Sequence, residues 1–149
     1  MVGWVRITFP KSYNASRVQL RHAEALHANG TVYTMNLRTA LAIDTYVLDK
    51  ANTTSNNTFE PNFTTHGFRY VEITGYPGEP QLNSIKGVVM NSDTAFDSHF
   101  ETSNAMVNKL YSNIHWGQRG NFLSVPTDCP QRDERLGWMG DGEVFAPTA

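Results

Sequence analysis

The chain has 149 residues, 40% of them apolar and 17% charged, with 12 basic against 14 acidic side chains for a formal charge of -2. That balance excludes the broad basic field of a nucleic-acid binder. A mean hydropathy of -0.42, with no apolar run approaching the roughly 18 to 20 residues of a membrane-spanning helix, excludes a helical membrane protein.

Residues 1–91 read as β. Val2 to Phe9 alternates apolar and polar side chains from Val5 onward, and Pro10 with Ser12 to Ser16 breaks the run. Arg17 to His22 alternates again, and Asn29-Gly30 is a hairpin signal placed before Thr31 to Thr34. The same period returns in Ile43 to Leu48 and in Phe68 to Thr74, which Gly75-Tyr76-Pro77-Gly78 terminates. Ala51 to Thr58, rich in Asn and Thr, reads as a polar loop, and Ile85 to Met90 as the closing strand. Short strands at this spacing predict a sandwich. The aromatic side chains Trp4, Tyr33, Tyr46, Phe68, Tyr70 and Tyr76 sit mostly at alternating positions, which fits a core better than a sugar-binding face.

After residue 92 the period changes. Met106, Val107, Leu110, Ile114 and Tyr111 fall on one stripe of a helix spanning residues 103–116, with Ser103 as its N-cap and Gly117 and Gly120 as its end. The stripe reads as a packing face. Asp141 to Phe145 reads as the first turn of another helix, and one helix with part of a second cannot bury both faces. The second domain therefore reads as truncated, and both ends, one starting in a strand and the other stopping without a helix-ending signal, read as cut.

Cys129 is the single cysteine, so neither a disulfide framework nor an all-cysteine metal site is available within these residues. No base or cation is fixed beside it by sequence, and it reads as structural rather than nucleophilic. His22, His27, His66, His99 and His115 show no ligand spacing, so no metal is expected. Asn-x-Ser/Thr sequons at Asn14, Asn29, Asn52, Asn56 and Asn62 point to an extracellular eukaryotic protein, and carry no such meaning in a bacterium.

The chemistry concentrates between residues 124 and 141. Asp128, Asp133, Glu134 and Asp141 stand with Arg132 and Arg135 among Pro126, Pro130, Gly137 and Trp138. Carboxyl groups held in unlike environments run acid chemistry near neutral pH, because burial raises one pKa while an arginine keeps another low. If the segment is helical, Trp138 shares a face with Glu134 and its ring desolvates the carboxyl. Asp128 and Asp141 then raise it further, with Arg132 and Arg135 keeping those two ionised. The bland alternative is a surface salt-bridge cluster, with Asp128 an N-cap for a turn starting near Pro130 and Gln131 completing a capping box.

The run Ser124-Val125-Pro126-Thr127-Asp128-Cys129-Pro130-Gln131-Arg132-Asp133-Glu134-Arg135-Leu136-Gly137-Trp138, followed by Gly140-Asp141, resembles the catalytic-domain signature of the bacterial and fungal alpha-L-rhamnosidases, which are inverting glycoside hydrolases. Trp116 to Phe122, Thr65 to Glu72, Leu20 to Glu24 and Asn36-Leu37-Arg38 resemble the same family in the same order. The resemblance implies a mainly β protein with α: a concanavalin-like antiparallel β-sandwich over residues 1–91, then the truncated start of an (α/α)6 barrel over 92–149. By the same resemblance Glu134 matches the general acid. Asp128, Arg132, Trp138 and Asp141 match substrate-binding positions, and the general base is a glutamate outside these residues. Met139 and Gly142-Glu143 depart from the commonest pattern, where threonine, a small residue and glutamine are frequent.

No cofactor is implied. The implied substrates are rhamnose-containing glycosides or polysaccharides, and the implied protein partner is the remainder of the catalytic domain. A chain of this length is then expected to be inactive alone. The alternatives from other classes are a non-catalytic carbohydrate-binding module and an inactive remnant. Asp133 has no role in the resemblance and reads as a solvated or arginine-paired neighbour.

Overall fold

A computed structural model describes residues 1–10, 17–48, 57–95, 97–134 and 137–149. Sequons at Asn14, Asn52 and Asn56, the break at Ser12 to Ser16, most of the polar loop after Ala51, and Arg135 lie outside the described residues. In chain order the strands are β1 (Val2–Phe9), β2 (Arg17–Ala23), β3 (Ala25–Leu26), β4 (Val32–Tyr33), β5 (Ile43–Val47), β6 (Asn57–Phe59), β7 (His66–Gly67), β8 (Tyr70–Thr74) and β9 (Ile85–Val89). They are followed by helix α1 (Ala105–Asn121), the short strands β10 (Phe122–Leu123) and β11 (Val125–Pro126), and helix α2 (Met139–Phe145).

β1 is the centre of one sheet. Its far end pairs with β6 (Ile7 opposite Phe59) and its near end with β7 (Gly3 opposite His66), while β9 runs along its other edge from Gly3 opposite Val89 to Ile7 opposite Ile85. β2 is the centre of the other, between β5 and β8, and all these pairings are antiparallel. The alternation in β1 sends Val5, Ile7 and Phe9 inward to meet Val18 and Leu20 of β2, closed over by Leu48 and Phe68. Each fully buried large aliphatic or aromatic side chain contributes about 1.5 to 3 kcal/mol, so this shared layer is what holds the two sheets face to face. Tyr46 stacks on Phe9 at 5.5 Å, and Tyr76 Oη donates to the Thr8 carbonyl at 3.1 Å. Of the aromatic side chains read as core, Phe68 belongs to this cluster and Tyr46 and Tyr76 pack against it, whereas Trp4, Tyr33 and Tyr70 lie outside it. The outward face of β1 carries polar contacts instead: Trp4 Nε1 and Arg6 Nε both donate to Glu60, at 2.8 and 2.6 Å.

Asn29-Gly30 forms the turn between β3 and β4, with Gly30 at φ 85, a left-handed conformation that glycine adopts without steric penalty. β6 and β7 were not legible in the sequence. Each has only two or three residues, too few to display a period.

β2 continues its buried face past Leu20 to His22, and the topology brings His66 and Asp44 against it. The two imidazoles stack with centroids 4.0 Å apart and planes 14° apart. His66 Nε2 lies 3.0 Å from Asp44 Oδ1, and His22 Nδ1 donates to the Ala42 carbonyl at 3.1 Å. These three residues could reach a common ion. His22 Nδ1 is taken by the Ala42 carbonyl, whereas His22 Nε2 and Asp44 Oδ2 are buried without a hydrogen-bond partner.

Burial, and then the adjacent His66 imidazole, push the His22 pKa down to about 4, against the Ala42 carbonyl and Asp44. The unfolded chain protonates His22 near its ordinary value of about 6.5 while the folded one does not. Stability is therefore full above pH 6.5 and is lost as pH falls toward 4, by on the order of 3 kcal/mol. Urea midpoints measured across that window should show a fall that flattens in His22→Asn.

α1 departs from expectation at both ends. Asn104, not Ser103, caps it, its side chain accepting the Met106 N–H at 2.9 Å, while Asn108 in the first turn accepts from Thr102 just before the helix. Gly117 and Gly120 lie inside the helix, which runs on to Asn121. A Cβ at Gly120 would come within 3.2 Å of Val2 Cγ2, so the glycine lets the helix approach the sandwich. The apolar stripe is exposed, with Met106 at 82% and Leu110 at 58%.

Candidate active site

α1 delivers the chain to a small hairpin, β10 and β11, turned at Ser124 with φ 67. Two hydrogen bonds then close the next segment into a loop. Thr127 N–H donates to Asn121 O at 2.8 Å and Trp138 N–H to Pro126 O at 2.9 Å, so residues 127–138 leave and return at nearly one place. The described part of this loop is not helical, contrary to the spacing argument for Trp138 and Glu134; α2 begins only after Trp138. Glycines make the closure tight: a Cβ at Gly142 would press on Pro126 Cγ at 2.9 Å, and one at Gly137 on the Val125 side chain at 3.2 Å.

Arg132 is the hub. Its guanidinium bonds Glu134 Oε1 and the Asp133 carbonyl (2.9 Å) through Nη1, and through Nη2 it bonds Cys129 Sγ (3.0 Å) and approaches Asp128 Oδ2 at 3.9 Å. Trp138 Nε1 donates to Glu134 Oε2. Both oxygens of Glu134 thus have donors, and its side chain is 15% exposed against 59% for Asp128. Trp138 meets Glu134 through its N–H rather than by covering it with the ring, because the loop turns where a helix would have stacked them.

Asp128, Cys129 and Glu134 offer oxygen and sulfur atoms within 4.8 Å of one another. The Arg132 guanidinium sits among them as the cation, bonding Cys129 Sγ and Glu134 and approaching Asp128. Burial, followed by the neighbouring Asp128 carboxylate, raises the Cys129 thiol pKa, and the thiol donates to Asp128 Oδ2 at 3.1 Å. It is a proton-bearing structural group, not a thiolate nucleophile.

Asp128, Arg132, Asp133, Glu134, Gly137 and Trp138 line a cavity of about 730 Å³ whose opposite wall is Arg38 and Thr39 of the sandwich. Such a volume suits a ligand larger than a single ring. Asp141 opens instead onto a neighbouring pocket of about 310 Å³ lined by α1 and α2, with Asp128 and Trp138 forming the partition between the two. Of the residues singled out from sequence, four therefore share one cavity and Asp141 borders the next.

Arg38 and Thr39 were not anticipated as site residues. Arg38 adopts φ 57 and ψ -116 after a single turn of 3-10 helix at Met35–Leu37, a conformation that costs a non-glycine residue on the order of 1 to 3 kcal/mol. No glycine marks the turn, so the sequence carries no signal for it. Asp133 is exposed, as the solvated reading has it, and its carboxylate pairs with no arginine among the described residues; it bonds Thr39 and Ala40. The sandwich meets this loop at Gly67, whose N–H donates to Pro130 O at 3.0 Å.

Residues 1–91 match the bacterial alpha-L-rhamnosidase concanavalin-like domain, and residues 95–149 the bacterial alpha-L-rhamnosidase 6 hairpin glycosidase domain. An alpha-L-rhamnosidase from Streptomyces avermitilis is 58% identical over 149 residues, covering 100% of this chain, and one from Formosa agariphila is 48% identical over 134 residues, covering 89%. The chain spans 14% of the length of either relative. The crystal structure of the Streptomyces avermitilis alpha-L-rhamnosidase complexed with L-rhamnose superposes with a TM-score of 0.89 at 57% identity, covering 99% of this chain and 14% of that one.

Proposed function

The chain belongs to the bacterial alpha-L-rhamnosidase family, and from that premise we propose that it supplies the acid half of an active site that hydrolyses terminal alpha-L-rhamnose from glycosides or polysaccharides. The sandwich of residues 1–91 precedes, over 92–149, the beginning of an (α/α)6 barrel, whose further helices cover the exposed stripe of α1. Glu134 protonates the departing glycosidic oxygen, while Asp128, Arg132 and Trp138 hold the sugar and Asp141 extends the binding surface next door. The carrying observation is Glu134 itself, gripped by Arg132 and Trp138 at the wall of a cavity of about 730 Å³. On substrate binding the sugar hydroxyls take over Arg132, and the carboxylate released from that ion pair takes up a proton from solvent, which it delivers to the leaving oxygen.

Inversion needs a base whose carboxyl stands roughly 6.5 to 9.5 Å from the acid, leaving room for a water. Asp128 comes within 4.8 Å of Glu134, too near for that water, and Asp133 is taken up by Thr39 and Ala40. The base is therefore a carboxylate other than these. Two results follow. The 149 residues alone should not release aglycone from a chromogenic rhamnoside, and turnover by them would sink the divided-site reading. In the full-length polypeptide, proton NMR of the first product should show β-L-rhamnose; the α anomer would mean that Asp128 acts as a nucleophile at retaining distance.

A further inference from the structure

We propose that Asp133 is a positioning residue for the acid, fastening the loop that carries Glu134 to the β-sandwich and so making the sandwich part of the catalytic apparatus; this rests on Glu134 being the acid. Asp133 faces Arg38 and Thr39 across the walls of one cavity, and hydrogen bonds from the Thr39 side chain and from the Thr39 and Ala40 backbone favour its ionised carboxylate. The strained turn at Arg38 brings the two following N–H groups to face one carboxylate, an anion-binding concavity built from backbone. Desolvation works to raise the Asp133 pKa, and these hydrogen bonds together with its own N–H overcome it and hold the carboxyl below its usual range.

The backbone of Asp133 is held as well, its carbonyl accepting Arg132 Nη1 at 2.9 Å. One residue therefore ties the arginine of the site to the sandwich, and Glu134 is the next residue, its Cα about 3.8 Å along the chain. Three residues earlier Pro130 is pinned to Gly67. The acid thus follows a segment anchored at both ends to the sandwich, and a carboxyl that must meet one oxygen atom gains from that rigidity.

In the full-length polypeptide, Asp133→Ala should lower kcat roughly 10- to 100-fold on a rhamnoside with a sugar leaving group while KM moves little. The loss should be far smaller on dinitrophenyl rhamnoside, whose leaving group departs without a proton. Asp133→Asn, which keeps an acceptor oxygen for Thr39, should recover part of the rate. Thr39→Val should reproduce the leaving-group dependence in milder form and add little to Asp133→Ala, as expected for two partners of one contact. Equal losses on both substrates, unimpaired activity, or full additivity with Thr39→Val overturns the proposal. Glu134→Gln assayed beside them separates the two claims. A leaving-group-dependent defect there without one in Asp133→Ala overturns the positioning role alone; its absence in Glu134→Gln removes the acid assignment and the positioning role with it.

Discussion

Glu134→Gln in the full-length polypeptide is expected to lower kcat on a natural rhamnoside by about 10²- to 10⁴-fold, the range a positioned general acid supplies, with the fold intact. Glutamine matches the shape of the carboxyl and still accepts from Trp138 Nε1, but it has no proton to give. Arg132 keeps its contacts with Cys129 and the Asp133 carbonyl when the Glu134 ion pair is lost, so the loop stays in place. Steady-state kinetics beside a thermal melt would check both halves. A drop in melting temperature that accounts for the lost activity would reduce Glu134 to one partner in a salt-bridge cluster.

Gly67→Ala should come next, with about a 10²-fold loss in kcat/KM, the scale on which roughly 1 Å of misplacement is felt at a reacting centre. Gly67 is not needed for an unusual backbone angle; it is needed for proximity. A Cβ there would stand 2.7 Å from Gln131 N and 2.9 Å from Pro130 C, both backbone atoms that cannot rotate away. The loop must lift, carrying Arg132 and Glu134 off the cavity wall and stretching the Gly67 N–H to Pro130 O bond of 3.0 Å. Overpacking of this kind also destabilises by about 1 to 3 kcal/mol, a loss the fold should survive. Full activity in the variant would show that the loop yields without moving the acid.

The sandwich strands with clear alternation, β1, β2, β5 and β8, were legible because period 2 over five or more residues leaves few other readings. β7 was not, though it carries His66 into the core and Gly67 to the loop; two residues have no period. The run from Asp128 to Trp138 announced a site by composition alone. Which groups meet within it was another matter, because the arrangement depends on a closed loop rather than on helical spacing. Trp138 therefore arrives as a hydrogen-bond donor where a ring face was expected, and Asp141 is turned toward the neighbouring pocket. Asp133 and Arg38 were missed for a common reason: their meaning lies in a contact between segments some 95 residues apart, which no local pattern records.

The most direct test is the dependence of the Glu134→Gln defect on leaving group, measured as the ratio of variant to wild-type kcat/KM over a series of rhamnosides from dinitrophenyl to alkyl and sugar aglycones. With Glu134 as the proton donor, the ratio approaches unity for dinitrophenolate, which leaves unassisted, and falls steeply as the leaving group becomes more basic. A defect of the same size across the whole series would contradict it, and would place Glu134 in binding or structure rather than in proton transfer.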